Sequence, residues 1–223
     1  MHRSRTSQGA VVRSSLLACA LAACGASPAS APALAEPRCP TEQTVVLASQ
    51  ADVARFASCT TAHGVVIRSG GKLDTSPLRA LATITGDLVI GPTVAVEEVT
   101  LGELRVIGGT LRVVGNGALQ GLFLPRLERA GQIEIEGNVA ATTISLPRLA
   151  EVRGALRVTD NASLELLDIP ALTSIDHELV LSGVPTLLLV EAAQLQRAGA
   201  IRIDAPKLAP DVADRLRASG AAP

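Results

Sequence analysis

A glycine followed by an apolar-x-apolar triplet recurs at Gly64 (GVVI), Gly86 (GDLVI), Gly109 (GTLRV), Gly131 (GQIEI) and Gly154 (GALRV). His177 (HELVL) takes the glycine slot once, and Gly199 (GAIRI) ends the series. The steps are 22, 23, 22, 23, 23 and 22 residues. A second column, Leu81, Leu104, Leu127, Leu149, Leu172 and Leu195, advances by 23, 23, 22, 23 and 23. Two ladders sharing one period mean a single structural unit stacked on copies of itself.

The unit reads as β. LRV, IEI, LRV and LVL alternate apolar and outward residues with the period of two that a half-buried strand requires. A second alternation precedes each anchor leucine: VTL (99–101), LFL (122–124), ISL (144–146) and LDI (167–169). Pro125, Pro147 and Pro170 follow directly, and a residue with fixed φ and no amide donor ends a strand and opens a corner. The repeating glycines mark the opposite corner, where a positive φ is expected. Asn116, Asn138 and Asn161 each sit seven residues after a repeat glycine and read as turn residues whose amides serve corner backbone groups. One such coil cannot bury its apolar face alone. Stacking supplies a continuous core and pairs each strand with its neighbour about 4.8 Å away.

That core is built almost without aromatics. Hydrophobic residues make up 48% of the 223, yet Trp and Tyr are absent and Phe occurs only as Phe56 and Phe123. Val, Leu, Ile and Ala must therefore fill the interior. The net charge of −1 is spread singly, with no basic stripe and no stacking platform, which argues against a nucleic-acid partner.

A solenoid needs its ends closed, because an open end offers unpaired strand edges. VVL (45–47) reads as a first strand and SQADVARFASC as a short helix, with Ser49 as N-cap and Asp52 three residues on. Phe56 would then cover the end of the core. PDVADRLRAS, with Pro210 at the helix start and Val212 and Leu216 on one side, reads as a closing helix.

The N-terminus reads as an export signal. Arg3, Arg5 and Arg13 precede SSLLACALAA, an apolar run too short to span a bilayer. LAAC (21–24) followed by Gly25 resembles a bacterial lipobox, which makes Cys24 the lipidated first residue of the mature chain; LLAC at Cys19 is a poorer match, close behind Arg13. The alternative is cleavage after Ala35, at ALA (33–35). The first exit gives a lipoprotein of the bacterial outer membrane or cell surface, and the second a secreted or periplasmic protein. Either leaves Cys39 and Cys59 as an even pair in an oxidising compartment, read as a disulfide closing about 20 residues and contributing about 3 kcal/mol by loop entropy. A two-cysteine metal site would want a nearby His pair, which is missing.

A cysteine pair around a short helix, followed by coils of the form L..L..I.G.L.I..N..L, resembles the receptor L domain, a β-helical module related in pattern to leucine-rich repeats. The resemblance covers about residues 39–208. It implies a right-handed solenoid of parallel sheets and a non-enzymatic, extracytoplasmic role. No Cys-rich module, transmembrane helix or kinase accompanies it in this sequence, so receptor signalling does not carry over.

The expected organisation is a lipoprotein signal peptide (1–23), an Ala/Pro/Ser-rich linker (24–38), a disulfide-stapled cap (39–63), the solenoid (64–208) and a cap helix with tail (209–223). The expected class is all-β, a right-handed parallel β-solenoid of 22–23-residue coils with a short helix at each end.

The outward columns offer little chemistry. Arg112, Glu134 and Arg157 fall on successive rungs, as do Glu103–Arg126, Arg105–Glu128 and Arg129–Glu151, and register-fixing ion pairs account for them. Asp168 and Glu191 share a column but lack the basic and aromatic surroundings of a glycan-cleaving site. His63 and His177 sit near repeat positions, and GNGALQG (115–121) precedes a strand and not the helix a phosphate loop needs. No catalytic residue, metal ligand or cofactor is expected. Phe123 stands apart: alternation points it outward in the column Thr100, Phe123, Ser145, Asp168, Glu191. With Arg126 and Arg148 beside it, it could anchor a partner, or it could pack under a corner. The expectation is a non-catalytic surface binding or adhesion module for an unidentified protein or surface polymer, held to the membrane by its lipid. The alternative is a structural envelope protein without a specific ligand.

Overall fold

A computed structural model describes residues 39–220. The expected signal peptide, Cys24 as the expected lipidation site, the expected linker to Arg38 and the last three residues lie outside the described residues.

The chain winds into a parallel β-solenoid of about 7 turns. Every strand pairing is parallel, and the strands form one eleven-stranded and one five-stranded sheet. A single coil shows how. Glu151–Val152 and Leu156–Thr159 join the long sheet on either side of a corner, and Leu166–Asp168 joins the short sheet. In the short sheet Val99, Leu122, Ile144, Leu167 and Val190 pair in register, and all five are buried. The anchor leucines from Leu81 to Leu172 are at most 1% exposed, while Leu195 in the last coil is 8% exposed. Full burial contributes about 1.5–3 kcal/mol per side chain, so the interior columns account for most of the driving force.

The irregular period has a local cause. Ile107 pairs with Ala130 but Leu111 with Ile133, so the corner around Gly108 holds one residue more than its neighbour. A similar shift separates Ile175–Ala198 from Glu178–Ala200. The inward residues keep register on both sides, because a one-residue slip would turn an apolar set outward.

The glycine expectation needs correction. The repeat glycines have no positive φ. They are small because each corner lies on the preceding one: a Cβ on Gly131 would stand 2.5 Å from the carbonyl oxygens of Gly108 and Gly109. Positive φ occurs instead at the other corner, at Gly115, Gly137, Asp160 and Gly183, with values of 63°, 65°, 56° and 60°. Each stands just before the asparagine column or its continuation, Val184.

That column is a buried ladder. Asn116, Asn138 and Asn161 are 0% exposed. Asn116 Nδ2 donates to Asn138 Oδ1 at 2.8 Å and Asn138 Nδ2 to Asn161 Oδ1 at 3.1 Å. The amides also donate to the carbonyls of Ile90, Val113 and Ile135, while the backbone N–H groups of Asn116 and Asn138 donate to the Oδ1 of the next coil. Thr93 Oγ1 opens the ladder with a 2.8 Å bond to Asn116 Oδ1.

Both ends carry helices. Helix α1 (Gln50–Phe56) begins at Ser49 with a complete capping box to Asp52, and it buries Val53 and Phe56. Cys39 and Cys59 are joined as a disulfide, their Cα atoms 5.4 Å apart. Gln50 exchanges two hydrogen bonds with the backbone of Asp74, tying α1 to the loop before a 3₁₀ turn at Ser76–Ala80. At the other end α2 (Pro210–Ser219) buries Ala213 and Leu216, and its C-cap Gly220 rests on Ile201.

Candidate functional site

The outer face of the long sheet is taken up by charge pairing. Val89, Arg112, Glu134, Arg157, Val180 and Arg202 lie in one register column. Arg112 pairs with Glu134 at 3.3 Å, but Arg157 turns mainly to Glu178, at 2.6 Å, and stands 3.8 Å from Glu134. Arg202 lies 3.8 Å from the other side of Glu178. The Arg157 hydrogen bond holds the Glu178 carboxyl below its ordinary value against the opposing effect of burial, with lesser help from the charge of Arg157, Arg202 and His177. Two further expected pairs form, Arg105–Glu128 at 3.0 Å and Arg126–Glu103. The third does not. Arg129 and Glu151 are register partners, yet Glu151 turns to Arg153 on its own coil at 3.3 Å. Register brings Cα atoms together, and two exposed side chains then choose their own partners.

The short sheet presents a different surface. Thr100, Phe123, Ser145, Asp168 and Glu191 form its outward column. Ser145 Oγ donates to Asp168 at 2.6 Å, so that carboxylate is engaged as an acceptor. Phe123 is half-buried, because its ring folds back along its own strand over Gly121. A Cβ at Gly121 would lie 2.3 Å from Phe123 Cε2 and 2.7 Å from Cζ. The glycine interrupts the column Glu98, Gly121, Thr143, Leu166, Leu189 and gives the ring its seat.

A groove of about 290 Å3 opens beside the ring, lined by Glu97, Glu98, Gln120, Gly121, Phe123, Thr142 and Thr143. Arg126 and Arg148 are not among its walls. Arg126 is half-buried and held by Glu103, and Arg148 stands exposed one coil further on. Glu97 is paired with Lys72 at 3.3 Å, and Glu98 accepts from Thr100 Oγ1 at 2.7 Å. The Thr142 hydroxyl donates to the Gln120 carbonyl. The Gln120 amide and the Thr143 hydroxyl have no partner among the described residues. Sequence reading missed these wall residues, although the glycine breaking a column of larger residues beside the exposed phenylalanine was a usable signal.

His63 Nδ1 lies 3.2 Å from Thr85 Oγ1 on the next coil, a corner contact. Among the described residues no group of three His, Cys, Asp or Glu side chains is placed to hold a metal ion, and no helix is long and apolar enough to cross a membrane. No family model, curated protein or solved structure matches the chain.

Proposed function

We propose that the chain is an exported, lipid-anchored binding module of the bacterial envelope, receptor L-domain-like in build and non-catalytic, with the outer face of the short sheet as its contact surface. The observation that carries this reading is the contrast between the faces. The long sheet's outer column is largely neutralised within itself, whereas the short sheet holds a seated aromatic beside a groove with unpartnered polar groups. Recognition sites combine an apolar surface with a few convergent polar groups in this way. The cysteine-stapled cap fits an oxidising compartment.

The test immobilises the full-length protein and exposes it to cell-envelope extract. A component retained by wild type and lost with Phe123→Ala is the expected result; identical retained sets would remove the short sheet as the contact surface. Labelled palmitate should enter the wild-type chain and not Cys24→Ala. An unlabelled wild type would sink the anchor and leave secretion after Ala35.

The alternative, a structural envelope protein without a specific ligand, draws on the same ion-pair ladder. A face neutralised along its length suits a rigid spacer.

A further inference from the structure

We infer that the groove beside Phe123 is a subsite for a neutral, hydroxyl-rich saccharide unit of a polymer, an assignment that rests on the short sheet being the contact surface. Sugars present two chemistries at once. One ring face carries a patch of C–H groups that packs on an aromatic, and the rim carries hydroxyls that both donate and accept. The groove offers both. Phe123 is one of only two aromatic residues in a chain without Trp or Tyr, and the other, Phe56, the last residue of α1, is 4% exposed. Its ring is positioned by Gly121, so it is pre-oriented and loses little freedom on binding.

The rim groups match hydroxyls in kind. The Gln120 amide can donate and accept, the Thr143 hydroxyl can do the same, and the Glu98 carboxylate accepts. All three line the groove with the ring. The volume of about 290 Å3 lies at the small end of ligand sites, which suits one unit of a polymer better than a whole cofactor. Charge narrows the class further. The walls hold Glu97 and Glu98 and no cation, and Lys72 is drawn to Glu97 from outside them. A polyanion would meet repulsion there, whereas a neutral glycan meets acceptors for its hydroxyls.

Native electrophoresis of the full-length protein through gels cast with dextran, hydroxyethyl cellulose or galactomannan tests this, with a heparin gel as the polyanion arm. Retardation by at least one neutral polymer is expected. Phe123→Ala should weaken it on the order of tenfold, as for the loss of one stacked ring. Gly121→Ala, which pushes the ring off its seat, should act in the same direction, and Thr143→Val, which removes a hydroxyl at constant shape, should weaken it less. Arg202→Ala, on the long sheet, should leave retardation unchanged. Passage of wild type through all three neutral gels overturns the inference, as does retardation by heparin alone. So does retardation that survives both Phe123→Ala and Thr143→Val in protein with an unchanged circular dichroism spectrum. If the neutral gels fail while Phe123→Ala still loses an envelope component, the saccharide is wrong and the contact surface stands.

Discussion

Asn138 shows how much a single side chain carries in this fold. Its amide donates to Val113 O at 3.0 Å and to Asn161 Oδ1, and its oxygen accepts from both the backbone and the side chain of Asn116. Asn138→Ala leaves buried donors and acceptors unpaired in two coils. It should lower unfolding free energy by about 3 kcal/mol, read from the midpoint of urea denaturation. The residue just before Asn161 behaves oppositely. Asp160 holds φ 56°, where an L side chain costs about 1–2 kcal/mol relative to right-handed backbone, while its neighbours in the column are glycines. Asp160→Gly should leave stability unchanged or raise it slightly in the same titration; a loss above about 1 kcal/mol would mean the Asp side chain has a role of its own. Both positions were visible in the sequence as a corner. The asparagine spacing showed that the column existed. That its members bond to one another, and that φ turns positive one residue earlier, depends on how closely two coils approach.

At the scale of the element, the long sheet is held in register by inward packing and supplemented outside by the ladder from Arg112 to Arg202. Glu178 is its hub, and its pKa is lowered chiefly by the hydrogen bond from Arg157. A lowered carboxyl contributes stability that is fully present above the unfolded pKa, near 4.5, and lost as pH falls through the folded value. Glu178→Gln should therefore reduce stability at pH 7 and converge with wild type below the folded pKa of Glu178. Thermal melts across that range check this, and a difference that persists undiminished in acid would mean a packing effect. Because the pair is partly exposed, raising salt should shrink the difference at pH 7. The ladder was partly legible beforehand, since Arg112, Glu134 and Arg157 fall on the repeat. Glu178 was not, because it lies outside that column, at the position where pairing resumes with Ala200 after the register shift.

For the whole molecule, the caps separate a finite solenoid from a self-associating one. Strand Arg197–Ile203 ends the long sheet, with Ile201 and Ile203 partly buried against the core and α2 across the end. A chain truncated after Leu208 loses Ala213, Leu216 and the Gly220 contact to Ile201. It should form concentration-dependent oligomers in size-exclusion chromatography with light scattering, under conditions where the full-length protein does not grow in size. Unchanged size would show that the last strand is protected without α2.

What the sequence alone determined is the architecture. A 22–23-residue period with strand alternation, proline after one strand and glycine at a corner admits few solutions besides stacked coils, because only stacking gives every apolar column a place to go. The capping box at Ser49 was equally readable, being local in the chain, and the pairing of Cys39 with Cys59 followed from the expectation that Cys19 and Cys24 serve export. Only the tertiary structure decided the surface. Whether Glu151 turns to Arg129 or Arg153, and whether Phe123 stands free or lies over Gly121 beside a groove, depends on side chains whose choices differ little in energy. Buried columns are dictated by large, additive burial energies that a sequence displays as pattern. Exposed rotamers are settled by small differences between neighbours that meet only once the coils are stacked.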